Sequence, residues 1–203
     1  MMNRIELTLW KWGDVLYRMI RRFDYEDRQG KNIFRIRVRP YSGPAIHLPG
    51  GEAIQSGDWV GFLHFYNLRL QQILHGVTSD NRRGMIVLRE TQRSLPELVE
   101  FVRKHPCGER IKALIGITLL NRGVEPLGFT VQSVPETSWF RFKAWYMRLM
   151  IRFCHPDGKR RVKHQGKDLP LKCVLIPVED LIRRYGQVSS TTVIDIEKGT
   201  SKL

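Results

Sequence analysis

Four groups of residues in this 203-residue chain have types and spacings that chemistry can use. The first is Arg35, Arg37 and Arg39, set in the strictly alternating run Ile33-Phe34-Arg35-Ile36-Arg37-Val38-Arg39. An extended strand points every second side chain the same way, so same-face neighbours stand about 6.6–6.8 Å apart. Planar guanidinium forks at that stride can hold a phosphate or carboxylate polyanion. The same pattern also suits a solvent-facing strand whose arginines pair with carboxylates on its neighbours. The second group is His64 with Asn67, in Gly57-Asp58-Trp59-Val60-Gly61-Phe62-Leu63-His64-Phe65-Tyr66-Asn67. A histidine where a strand gives way to a helix can serve as base, acid or ligand, and Asn67 completes a catalytic pair or caps the helix. The third is the loop Lys159–Lys167, with Arg160, Arg161 and Lys163 among five cations in nine residues and no acid. The fourth is the stretch Trp139–Phe153, where Arg141, Trp145, Arg148 and Arg152 share a narrow helical face suited to a membrane surface. Trp139, Phe142, Tyr146, Leu149, Met150 and Phe153 take the other side, which can face a core, a membrane or a partner.

Other chemistries find no foothold. His105-Pro106-Cys107 and Cys154-His155 lack the spacing of a zinc knuckle, and no metal or cofactor is expected. No phosphate-binding Walker loop, dinucleotide-binding glycine run or Gly-x-Ser-x-Gly elbow occurs, so the residues leave open whether the protein is an enzyme. Zinc-finger spacing, an aromatic RNA-binding signature and a helix-turn-helix are also missing. Nucleic-acid binding would rest on charge alone.

That charge is large. Lys plus Arg number 34 against 20 Asp plus Glu, a net +14, and 23 of the cations are arginine. A small soluble domain usually carries roughly 2–8 net charges, so the excess points to an anionic partner. The longest stretch without a charged side chain is Pro40–Gly51, far short of the ~20 apolar residues a spanning helix needs. Nothing at Met1–Glu6 reads as a signal peptide, and Cys107, Cys154 and Cys173 are an odd number. The expected setting is cytoplasmic with reduced thiols, peripheral at the inner face of the membrane.

The elements that must position these residues follow from periodicity. Residues 4–22 predict an amphipathic helix, with Arg4, Lys11, Arg18 and Arg22 opposite Ile5, Leu9, Trp12, Leu16 and Met19. Asp24–Lys31 predicts a charged turn before the arginine strand. Two short extended pieces flank Pro49-Gly50-Gly51, and Trp59–Phe65 predicts a strand feeding a helix over Leu68–His75. Thr78–Arg83 predicts a polar loop and Met85–Leu88 a strand. Ser94-Leu95-Pro96-Glu97 fits a capping box opening a helix to Lys104. Strands follow at Ile111–Leu120, Leu127–Val134 and Leu171–Ile176, then a closing helix Val178–Tyr185 ended by Gly186. The sum is a single α+β domain over 1–186, a mixed or antiparallel sheet flanked by amphipathic helices, with a polar tail over 187–203. Val193–Ile196 could pair there as an edge strand.

Taken together, Trp12-Gly13-Asp14-Val15-Leu16-Tyr17-Arg18, Phe34-Arg35-Ile36, Tyr41-Ser42-Gly43-Pro44, Ile54-Gln55-Ser56-Gly57-Asp58 and Leu63-His64-Phe65 with Asn67 resemble the bacterial YkoP-like family. Gly116-Ile117-Thr118-Leu119, Leu127-Gly128-Phe129 and Leu181–Gly186 extend the resemblance, which covers roughly residues 8–186. Such domains also resemble one appended to some polysaccharide deacetylases. The resemblance therefore implies an accessory protein of the cell envelope, whose anionic partner is a phospholipid surface or an acidic or phosphorylated envelope precursor. It supplies no activity, and the metal-binding motif of a deacetylase is not in this sequence. A thinner resemblance joins Leu95–Lys104, Ile111–Leu120 and Leu127–Val134 to the end of an acyl-CoA N-acetyltransferase domain. That family's pyrophosphate loop is glycine-rich, whereas Thr91-Gln92-Arg93-Ser94-Leu95 has no glycine, so this alternative implies a lost or altered cofactor loop.

Overall fold

Alternating apolar residues at 34, 36 and 38 and at 61, 63 and 65 make two seven-residue strands that pair at the heart of the fold. In a computed structural model, residues 22–27, 29–119, 121–135, 137–138, 140–145, 147 and 170–187 are described. The strands are β1 (Tyr25–Glu26), β2 (Phe34–Pro40), β3 (Ile46–His47), β4 (Ala53–Ile54), β5 (Trp59–Phe65), β6 (Ile111–Thr118), β7 (Thr130–Ser133) and β8 (Lys172–Pro177). The helices are α1 (Asn67–Leu74), α2 (Asp80–Lys104), α3 (residues 140–145) and α4 (Val178–Tyr185). Six strands form one sheet in the order β1-β2-β5-β6-β8-β7, and β3–β4 form a separate hairpin. The pairings in the large sheet are antiparallel except β5 with β6. A parallel pair needs a long crossover, and α1 and α2 supply it. The fold is α+β.

Register assigns each side chain to a face. On the first face Phe34, Ile36, Leu63, Leu114, Val174 and Ile176 meet Leu95, Leu98, Val99 and Val102 of α2 and Val178 and Leu181 of α4. Each fully buried aliphatic or aromatic side chain there stabilises the fold by about 1.5–3 kcal/mol. Gly61 sits where this packing is tightest. A Cβ at that position would lie 2.5 Å from Leu114 Cδ2 and 3.2 Å from Ile36 Cγ2. On the second face Val60, Ala113, Ile115, Cys173 and Leu175 pack beneath Leu48 and Ile54 of the hairpin. Ala144 of α3 closes on Leu119 and Leu171, with Phe140 and Met147 alongside. Both faces of β6 and β8 are thus covered, which is why those strands read as unbroken apolar runs rather than alternating ones.

Residues 80–104 differ from the loop, strand and capped helix expected of them. They form one 25-residue helix, whose N-cap is Ser79, its hydroxyl accepting from the Arg82 N–H at 3.4 Å. Half-buried or buried residues at Val87, Thr91, Ser94, Leu95, Leu98 and Val102 keep one stripe through the whole length. Pro96 lies inside the helix, off that stripe. Its missing N–H costs one bond, to the carbonyl of Gln92, whose side is exposed. Ser94 is no cap; it is buried, and its hydroxyl accepts from the Ile33 N–H at 3.1 Å. Beside it, buried Asn32 locks the start of β2 to α2. Its Nδ2 donates to the Ser94 carbonyl (3.0 Å) and Glu97 Oε2 (3.1 Å), and its Oδ1 accepts from Phe34 N–H (2.9 Å).

Candidate functional site

The arginine strand is β2, and its second-face residues pair across β5 as Arg35 with His64, Arg37 with Phe62, and Arg39 with Val60. On the other side, β1 sets Glu26 opposite Arg35. Three strands therefore place Glu26, Arg35 and His64 in one row across the sheet. Arg35 is 1% exposed, and its Nη2 lies 2.9 Å from Glu26 Oε1. Its guanidinium carbon sits 3.9 Å from the Tyr66 ring centroid and 5.5 Å from that of Phe23. Cation–π contacts this close add about 2 kcal/mol when desolvated. The second face is covered at this end, so Arg35 does not stand at the surface with Arg37 and Arg39. The expectation of three guanidiniums presented together is corrected: Arg35 is a core residue whose charge is met by Glu26.

A second guanidinium shares the same aromatic platform. Arg69, on α1, lies 5.2 Å from the Tyr66 centroid, and its Nη1 donates to the Asn32 carbonyl at 2.8 Å. The same nitrogen is 3.5 Å from Asp27 Oδ2. Burial pushes the Asp27 carboxyl up, but the N–H groups of Asn32 and Gly30 and the Arg69 guanidinium outweigh it and hold it below the ordinary range. Burial, then its hydrogen bond to Glu97, raises the Tyr25 hydroxyl well above the usual phenol range. The charged turn at Asp24–Lys31 thus supplies the carboxylates that β2 and α1 require. Glu26, Tyr66 and Arg69 were not singled out from the sequence. The signal was present: three acids, Asp24, Glu26 and Asp27, lie within ten residues before the arginine strand, and Phe65 and Tyr66 follow His64.

His64 is half-buried, its ring edge-on to Phe23 at 5.3 Å between centroids. Asn67 is exposed and opens α1 from inside the helix. The N-cap position is Tyr66, and no side chain caps the end. Asn67 therefore does not serve as the cap, because the helix begins one residue earlier than the apolar pattern suggests. Arg35 and His64 are brought together by register.

Arg37 is half-buried and Arg39 exposed, the latter with its guanidinium carbon 4.6 Å from the Phe62 centroid. A ring beneath a guanidinium fixes its plane. Around the same end of the sheet Arg110 lies 5.1 Å from the Trp59 centroid, and Lys112 pairs with Asp58 at 2.9 Å. The Gln55 N–H and Lys112 hold Asp58 below its ordinary range. Arg141 and Trp145 are exposed on α3, one helical turn apart. Phe142, expected on the opposite, inward side, is 55% exposed and 5.8 Å from the Trp145 ring, because Phe140, Ala144 and Met147 make the inward stripe. Arg148, Arg152, Arg160, Arg161, Lys163, the tail from 188 and the helix expected over 4–22, apart from Arg22, lie outside the described residues.

Among the described residues no cluster of His, Cys, Asp or Glu could hold a metal ion, and no helix is long and apolar enough to cross a membrane. Cys107 and Cys173 carry free thiols, and burial pushes that of Cys173 up to about 11. Residues 91–95, where an acetyltransferase cofactor loop was sought, lie in mid-helix.

No solved structure matches this chain. A Bacillus subtilis (strain 168) protein described as "Uncharacterized protein YkoP" is 34% identical over 125 residues, 62% of this chain and 68% of that protein. The YkoP domain family matches over residues 3–185, which takes in the β2–β5 row, both helices of the crossover and α4, and the chain belongs to that family.

Proposed function

We propose that this YkoP-family protein is an envelope accessory protein that binds an anionic partner, a phospholipid surface or a phosphorylated or acidic envelope precursor, through the second face of its sheet. The observation that carries the reading is the Arg37–Arg39 step. Two guanidiniums sit one strand stride apart on a rigid six-stranded sheet, and Arg39 is levelled over Phe62. Arg35, the next same-face residue along β2, is buried and paired with Glu26. The net +14 raises the local concentration of any polyanion and speeds its approach. Such binding weakens as salt rises, since exposed charges are screened within about 8 Å at physiological ionic strength.

The test is retention on phosphatidylglycerol vesicles and on inorganic polyphosphate across a salt series. Wild-type protein should bind one or both, with affinity falling steeply as salt increases. Arg37→Gln/Arg39→Gln should weaken that binding several-fold while leaving the fold intact. Unchanged binding by the double variant would remove the arginine step from the site.

A further inference from the structure

α3 meets its packing needs with Phe140, Ala144 and Met147, which lie against Leu119, Leu171, Ile117 and Val134. Two further large aromatics on the same helix are exposed. Phe142 is 55% exposed and Trp145 57%, with ring centroids 5.8 Å apart, so they form one continuous apolar patch. Exposed Arg141 stands one turn before Trp145. Ile117, beneath this helix, shares its sheet face with Ile115 and Phe62 through the register of β5, β6 and β8. Phe62 in turn stands opposite Arg37. The helix thus packs on the same sheet face that bears Arg37 and Arg39.

We infer that Phe142 and Trp145 are an interfacial anchor that enters the headgroup region of an anionic bilayer, while Arg37, Arg39 and Arg141 meet lipid phosphates. This rests on the anion-binding reading and narrows it to a lipid surface. A tryptophan beside a phenylalanine suits the boundary between headgroups and acyl chains, where one edge is wet and the other apolar. A small anchor alone holds weakly, and so does charge alone; stable attachment takes two signals together. Charge also selects the occupant. A second copy of this chain would bring another +14 against the first, whereas an anionic membrane draws each nearby cation in.

The experiment is co-flotation of the full chain with vesicles of phosphatidylcholine alone and of phosphatidylcholine with phosphatidylglycerol. Wild-type protein should float with the anionic vesicles and not the neutral ones. Phe142→Ser/Trp145→Ser should weaken capture by about tenfold or more, as lost apolar insertion predicts. Met85→Ser, which removes a 64% exposed apolar residue from α2, should change nothing. The blue shift of tryptophan emission on adding anionic vesicles should shrink in Trp145→Phe. If the double serine variant floats as the wild type does, the anchor is refuted while anion binding stands. If wild-type protein binds polyphosphate but no vesicle, the lipid assignment is refuted alone. If it binds neither, both readings fall.

Discussion

Replacing Arg35 by Met tests whether the second face of the sheet is a core or a surface. The guanidinium is 1% exposed, and the Glu26 side chain that it pairs with is 7% exposed. Removing the cation takes away the guanidinium that lies 2.9 Å from a buried carboxylate, and breaking a buried pair costs about 3–5 kcal/mol. Loss of the contact with Tyr66 adds about 1–2 kcal/mol, and the apolar burial of methionine returns about as much. The net loss is about 3–5 kcal/mol, a large share of the roughly 5–15 kcal/mol that holds a domain folded. In a chain of this length that lowers Tm by about 6–20 °C. Adding Glu26→Gln removes the carboxylate's charge, so the double variant should recover at least about 2 kcal/mol over Arg35→Met. Urea unfolding followed by circular dichroism reads all four corners of the cycle. An Arg35→Met protein within about 1 kcal/mol of wild type, or strictly additive effects of the two changes, would refute the buried pair.

The remaining expectations concern stability and reactivity. Asn32→Ala removes the acceptor of the Phe34 N–H and the donor to the Ser94 carbonyl and Glu97, which keeps its bond from Tyr25, and should cost about 2–3 kcal/mol in urea unfolding; a change under half a kcal/mol, ~0.5, would deny Asn32 its locking role. Gly61→Ala forces Leu114 and Ile36 apart in a closed core and should cost about 1–3 kcal/mol, against no measurable loss if the sheet can yield there. Asp27 is more acidic folded than unfolded, so its stabilising contribution is complete above an unfolded value near about 4 and is lost as pH falls through its folded value. Asp27→Asn should flatten that acid arm of the stability curve, and an unaltered arm would place the effect elsewhere. With Cys154 replaced by Ser, Cys107 should react with a thiol reagent at pH 8 while Cys173, pushed up to about 11, reacts about a hundredfold more slowly until urea is added. Equal rates for the two thiols would show that β8 opens readily.

Much of the fold was legible because local pattern and tertiary demand agree. Trp59–Phe65 carries enough β-branched and aromatic residues between turn signals to fix β5, and Val178–Tyr185 shows a helical stripe closed by Gly186. The arginine strand was legible in period but not in environment. Alternation says which side chains share a face; it does not say whether another layer covers that face. Arginine is rarely buried unless paired, so the row looked solvent-facing until Glu26 was brought opposite Arg35 by β1, a two-residue strand too short to show a period. α2 was misread for the opposite reason. Gly84 and Pro96 are breakers locally, yet the stripe from Val87 to Val102 buries enough apolar surface to carry the helix across both. Asn67 looked like a cap because its type favours that place, although the helix takes Tyr66 there in the company of two guanidiniums.

The strand order also dictates a sequence of events during synthesis. β8, contributed by residues 172–177, lies between β6 and β7, so the last of the described strands is inserted into the interior of the sheet. Until it arrives, β6 has an open edge on that side and β7 has no neighbour in the sheet. Ala113, Leu114 and Ile115, each at most 1% exposed in the finished protein, lack their β8 partners for as long as residues 172–177 remain in the ribosome. At roughly 5–20 residues per second that interval lasts several seconds. A nascent chain stalled before residue 172 should therefore present an apolar strand edge to chaperones, and one released after α4 should not.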